Sequence, residues 1–146
     1  MKRILIAVTA LGIISGLLAG CGGGNADPAG NNKPGTKIET ACGTYWELTP
    51  EELYSMISDE MFILQYDSVK TGNIPATDLY IEYPYIEENI DKFPADKSTY
   101  IVIYCTQGSK SAEGASYLVS QGYSSVFQLA GGSIAWRNQG YPIIAG

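Results

Sequence analysis

The chain is 146 residues long, carries 9 Lys+Arg against 15 Asp+Glu for a formal charge of −6, and contains no histidine. One ordinary domain fits that length, and the acidic balance excludes a nucleic-acid binder, which needs a basic footprint. Without an imidazole, Ser-His-Asp hydrolysis, papain-like Cys-His pairs, HExxH zinc sites and C2H2 fingers are excluded too. Chemistry here must run on Cys, carboxylate, Lys, Tyr, hydroxyl or backbone N–H groups. At 45% apolar residues a packed core is expected.

Met1-Lys2-Arg3 is a short positive head. Ile4 to Leu18 is mostly apolar and falls short of the ~20 residues of a membrane span, which suits the core of a signal peptide. Leu18-Ala19-Gly20-Cys21 follows and resembles the lipobox of bacterial lipoproteins. That resemblance implies cleavage before Cys21 and lipidation of Cys21. Residues 1–20 are therefore expected to be a lipoprotein signal peptide. The expected location is the bacterial cell envelope, extracytoplasmic and held to the membrane by lipid. Loss of Lys2 and Arg3 with the signal moves the charge from −6 to −8. Gly22 to Gly35 is dense in Gly, Asn and Pro without apolar periodicity, so residues 21–37 read as a flexible tether. A phosphate loop at Gly22-Gly23-Gly24 would need a GK[ST] ending, which is absent.

The folded domain is expected over residues 38–146. Thr44 to Leu48 reads as a short strand. Thr49-Pro50-Glu51-Glu52 is a helix start, with Thr49 as cap, Pro50 at the first helical position and Glu52 closing a capping box. A helix over Pro50–Ser58 puts Leu53, Met56 and Ile57 on one face. Phe62 to Tyr66 reads as a buried strand, Asp67 to Ala76 as a loop and Leu79 to Glu82 as another strand. A helix is expected from Pro84 to about Phe93, with Ile86, Ile90 and Phe93 as its stripe. Tyr100 to Tyr104 is the clearest strand, β-branched at its centre and suited to cover on both faces. A helix over Ser111–Gln121 follows, stopped by Gly122. Ser125 to Leu129 is the next strand, and a last short helix after Gly131-Gly132 holds Ile134 and Trp136. Alternating strands and helices make the class α/β with a largely parallel sheet.

Of three cysteines, Cys21 is assigned to lipid, and Cys42 and Cys105 either pair or stand apart. Two cysteines without histidine make a poor zinc site, so no metal is expected. Cys105 ends the strongest strand, where open α/β sheets bind ligands. Gly108 allows a tight loop, and a helix N-terminus behind it aims backbone N–H groups at one point. Those donors stabilise negative charge on the sulfur and hold an anion beside it. Lys110 adds a cation, and Thr106, Gln107, Ser109 and Ser111 add neutral donors.

Cys105-Thr106-Gln107-Gly108-Ser109-Lys110-Ser111 resembles the C-x-x-G-x-[RK]-S active loop of rhodanese-like sulfurtransferases. Leu129-Ala130-Gly131-Gly132-Ser133-Ile134-Ala135-Trp136 resembles that family's L-x-G-G-x-x-x-W ending. Gly72-Asn73-Ile74-Pro75-Ala76 resembles its G-H-I-P-G-A segment, with Asn73 in place of His. The preceding strand lacks the family's D-x-R, and Lys110 replaces the commoner Arg. The resemblance implies a rhodanese-like fold and a catalytic Cys105. It also implies a substrate loop of Thr106, Gln107, Gly108, Ser109, Lys110 and Ser111, and no cofactor. The implied activity moves sulfane sulfur from a thiosulfate-like donor to a thiophilic acceptor through a Cys105 persulfide. Its partners would be a small sulfur-containing anion and a thiol or protein acceptor, on a monomer that binds no nucleic acid. The three departures leave a second reading, a noncatalytic rhodanese-like module that binds a partner or senses redox state. A Cys-dependent phosphatase would need C-x5-R, and Ser111 stands at that sixth position.

Overall fold

A computed structural model describes residues 33–145. The expected signal peptide, Cys21 and the tether as far as residue 32 lie outside the described residues. Among the described residues no helix is long and apolar enough to cross a membrane.

Six strands form one sheet: β1 (Thr36–Thr40), β2 (Gly43–Leu48), β3 (Phe62–Asp67), β4 (Thr77–Glu82), β5 (Ile101–Tyr104) and β6 (Val126–Leu129). Their order is β1-β2-β6-β5-β3-β4, antiparallel between β1 and β2 and parallel elsewhere. The helices are α1 (Pro50–Met56), α2 (Ser109–Ser120) and α3 (Gly132–Asn138). The expected α/β class with a largely parallel sheet is what the chain adopts.

Every residue of β5 is buried, as its apolar run requires of a strand covered on both faces. The two-residue period of a strand splits its side chains. Ile101 and Ile103 pack with Leu64, Tyr66, Ala115 and Leu118 on the α2 side. Val102 and Tyr104 pack with Ile63, Leu53, Phe127 and Trp136 on the α1 and α3 side. Trp136 thus belongs to the core, and its indole Nε1 donates to the Pro142 carbonyl at 2.8 Å.

α1 begins as its sequence dictates. The Glu52 amide donates to Thr49 Oγ1 at 3.2 Å and the Thr49 amide to Glu52 Oε2 at 2.8 Å, which closes the capping box. The helix ends at Met56 rather than Ser58, with the Ile57 amide still bonded to the Leu53 carbonyl. The segment expected as a helix from Pro84 forms only a 3-10 run over Glu87–Lys92. Its apolar stripe is nonetheless correct: Ile86 and Phe93 are buried and Ile90 packs against the same cluster. β1 was not anticipated. It opens at Thr36, inside the stretch read as tether, and only Ile38 offers an apolar contact. An edge strand of this kind is held by backbone pairing to β2, which leaves little trace in side-chain periodicity.

The order β6-β5-β3-β4 determines where a site can form. From β3 the chain runs outward to β4, and after β4 it returns to lay β5 on the other side of β3. From β5 it runs the opposite way, through α2 to β6. Connections leaving adjacent strand ends in opposite directions open a crevice at those carboxyl ends. Asp67 ends β3 there, and Cys105 follows β5.

Candidate active site

Cys105 is a free thiol, 1% exposed, at the floor of this crevice. It is therefore not bridged to Cys42. The chain turns at Gly108, whose φ of 103° lies in the left-handed region that glycine adopts without strain. That turn swings the Gly108 amide back onto the sulfur, and its N–H donates to Cys105 Sγ at 3.0 Å. α2 starts at the next residue, two positions earlier than expected. Ser111 Oγ lies 3.5 Å from the sulfur and donates to the Gly108 carbonyl at 2.9 Å.

Two strands flank β5 and each sends a polar side chain to the loop. From β6, the buried Gln128 donates through Nε2 to Ser111 Oγ at 3.1 Å, to the Gly108 carbonyl at 3.2 Å and to its neighbour's Leu129 carbonyl at 2.7 Å. From β3, Asp67 accepts the Thr106 amide at 2.6 Å and the Thr106 hydroxyl at 2.5 Å on Oδ2. Its other oxygen accepts Lys110 Nζ at 2.7 Å and the Ser68 amide at 2.7 Å.

Burial pushes the Asp67 carboxyl up, but hydrogen bonds from Lys110, Thr106 and Ser68 outweigh it and hold the group below its ordinary value. A carboxyl lowered on folding stabilises the protein above its unfolded value, and that contribution is lost as pH falls through the folded one. The stability difference between wild type and Asp67→Asn is expected to be constant near neutrality and to shrink below about pH 4. Thermal melts of the two proteins across that range measure it.

The third wall is α3. Ser133 N donates to the Cys105 carbonyl at 2.8 Å and Ile134 N to the Thr106 carbonyl at 3.1 Å. Gly132 makes that approach possible, because a Cβ there would fall 2.3 Å from the Cys105 carbonyl oxygen. The residues expected to form the loop therefore divide. Thr106, Gly108, Lys110 and Ser111 are tied into the network around the sulfur, whereas Gln107 and Ser109 stand exposed at its mouth. Asn73 pairs its backbone with Ile144 through bonds of 2.8 and 2.9 Å. Among the described residues no cluster of acidic, cysteine or histidine side chains could hold a metal.

The rhodanese-like domain family matches this chain over residues 70–139. A sulfurtransferase of Allochromatium vinosum is 34% identical over 104 residues, which cover 68% of this chain and 94% of the relative. The chain belongs to the rhodanese-like family. Solved structures of similar fold include a rhodanese-related protein of Thermoplasma volcanium, with a TM-score of 0.57 and 21% identity over 67% of this chain and 96% of that one. A rhodanese-like domain protein of Staphylococcus aureus has a TM-score of 0.54 and 27% identity over 62% of this chain and 89% of that one. Family membership and the sulfurtransferase relative support a sulfur-transfer role.

Sequence reasoning did not place Asp67 or Gln128 in this rhodanese-like site. From the sequence Asp67 reads only as the first residue of a loop, after a strand that lacks D-x-R. Gln128 carries a legible signal, a polar residue inside the apolar run Val126–Leu129. A buried amide needs partners, so such a residue points to a polar neighbour.

Proposed function

We propose that the protein is a sulfurtransferase that carries sulfane sulfur as a persulfide on Cys105. The observation that carries this reading is the Gly108 N–H aimed at Cys105 Sγ from 3.0 Å, just past the carboxyl end of the buried strand β5. A thiolate needs donors and no proton acceptor, which suits a chain without histidine.

The Cys105 thiolate attacks the outer sulfur of a small sulfane-sulfur donor. A new S–S bond forms, the donor's own S–S bond breaks, and its remainder leaves with the electron pair, as sulfite from thiosulfate or as a thiolate from an organic persulfide. The acceptor, a thiol or a protein cysteine, then attacks the outer sulfur and frees the Cys105 thiolate. The Gly108 N–H stabilises charge on the cysteine sulfur, while Gln128 and Asp67 hold the loop from either side. By the same proposal the domain acts as a monomer in the bacterial envelope, extracytoplasmic and tethered through lipid on Cys21.

Two separate half-reactions at one sulfur demand ping-pong kinetics. Initial rates with varied donor at several acceptor concentrations are expected to give parallel double-reciprocal lines. Intersecting lines would contradict a covalent sulfur carrier. The burial of Cys105 and the engagement of Lys110 favour a second reading, a noncatalytic module, which predicts no turnover with any donor.

A further inference from the structure

The loop Cys105–Ser111 contains one basic side chain, Lys110. Its Nζ lies 2.7 Å from Asp67 Oδ1, and the Asp67 side chain is 5% exposed. Asp67 is held there by the Thr106 amide and hydroxyl as well, so the pair is part of the loop's framework. A third charge stands near. Glu113, one turn along α2, accepts the Tyr83 hydroxyl at 3.0 Å, and the Tyr83 ring centroid lies 6.0 Å from Lys110 Nζ. With Cys105 ionised, Cys105, Lys110 and Asp67 together carry one negative charge.

We infer that Asp67 is the residue that selects the sulfur donor. By neutralising Lys110 it favours an organic persulfide, R–S–SH, over the dianion thiosulfate. The inference rests on the reading of Cys105 as a sulfur carrier. In the favoured step the Cys105 thiolate attacks the outer sulfur of R–S–SH. The Cys105–S bond forms, the R–S bond to that sulfur breaks, R–S⁻ leaves, and the proton stays on the outer sulfur. With the persulfide in its protonated form, the one whose outer sulfur is electrophilic, the site and donor together carry one negative charge throughout. In the thiosulfate step they carry three, and sulfite departs as a dianion. Like charges crowded into a partly desolvated crevice repel, and no unengaged cation of the loop offsets them.

The test is single-turnover loading of the purified protein, followed by intact mass. The donors are thiosulfate and the persulfide of 2-mercaptoethanol, and the proteins are wild type and Asp67→Asn. Asparagine keeps an oxygen for the Thr106 amide and hydroxyl and turns an uncharged amide toward Lys110. Wild type is expected to load at least about tenfold faster from the persulfide. Asp67→Asn is expected to raise the thiosulfate rate about tenfold and to move the persulfide rate far less. Should the variant fold poorly, a salt series on wild type decides. Screening a repelled dianion makes thiosulfate loading rise with ionic strength. Loading from both donors with an unchanged ratio in the variant, or thiosulfate loading that falls with salt, overturns the inference and leaves sulfur transfer standing. No loading of either protein from either donor removes the carrier reading, and this inference with it.

Discussion

Replacing Gly132 with alanine is expected to destabilise the protein by about 3 kcal/mol and to lower its melting temperature by roughly 10 °C or more. Two costs combine. Gly132 has a φ of 61°, a left-handed conformation that costs an alanine about 1 kcal/mol. Its Cβ would also fall 2.3 Å from the Cys105 carbonyl oxygen and 2.7 Å from the Thr106 carbonyl carbon and oxygen. These are backbone atoms with no rotamer to escape into, and such overpacking costs about 1–3 kcal/mol. Relief must come from moving the loop away from α3, which stretches the Ser133 and Ile134 amide bonds to it. Sulfur transfer should therefore fall by more than the unfolded fraction explains, since a displacement of ~1 Å at a reacting atom can cost about 10²-fold. Gly122→Ala separates the two costs: its φ is 91°, but nothing lies within 4 Å of the added Cβ. It should show the conformational cost alone and full sulfur transfer. A Gly132→Ala protein that melts with Gly122→Ala would contradict the packing argument.

The second large effect is Cys105→Ser, expected to reduce sulfur transfer to background while leaving the fold intact. A serine hydroxyl at this depth keeps the Gly108 N–H and Ser111 Oγ as hydrogen-bond partners. Its burial is therefore satisfied, and stability should stay within roughly 1 kcal/mol of wild type. The chemistry does not survive. The hydroxyl stays protonated at neutral pH with no base beside it, and oxygen does not replace sulfur as a carrier of transferable sulfur. Matched melting curves with lost turnover is the expected pair of results. Retained turnover in the serine protein would place the reacting sulfur elsewhere.

Where an element's signal was local, the sequence was enough. The run from Ile101 to Tyr104 is apolar and β-branched, and it became the fully buried β5. Thr49, Pro50 and Glu52 specify the start of α1 through bonds within a single turn. The position of Cys105 after β5 and the turn at Gly108 followed from the same local logic. What escaped was set by neighbours. β1 is polar and exists because β2 offers it a backbone edge. Gln128 and Asp67 reach the loop because β6 and β3 lie on either side of β5, an order that chain sequence does not express. Lys110 was legible as a cation, but its engagement by Asp67 was not, since the two are joined only across the β3–β5 crevice. The Gly131-Gly132 pair was legible as a turn. Its second task, to let α3 meet the carbonyls of Cys105 and Thr106, appears only with the helix in place.

The central claim is that Cys105 carries sulfur. Intact mass of the protein after incubation with thiosulfate or with the persulfide of 2-mercaptoethanol, and removal of excess donor, tests it most directly. Wild type should gain one sulfur, lose it on addition of a thiol acceptor, and gain none as Cys105→Ser. A folded wild-type protein with a free Cys105 thiol that gains no sulfur from either donor would contradict the account.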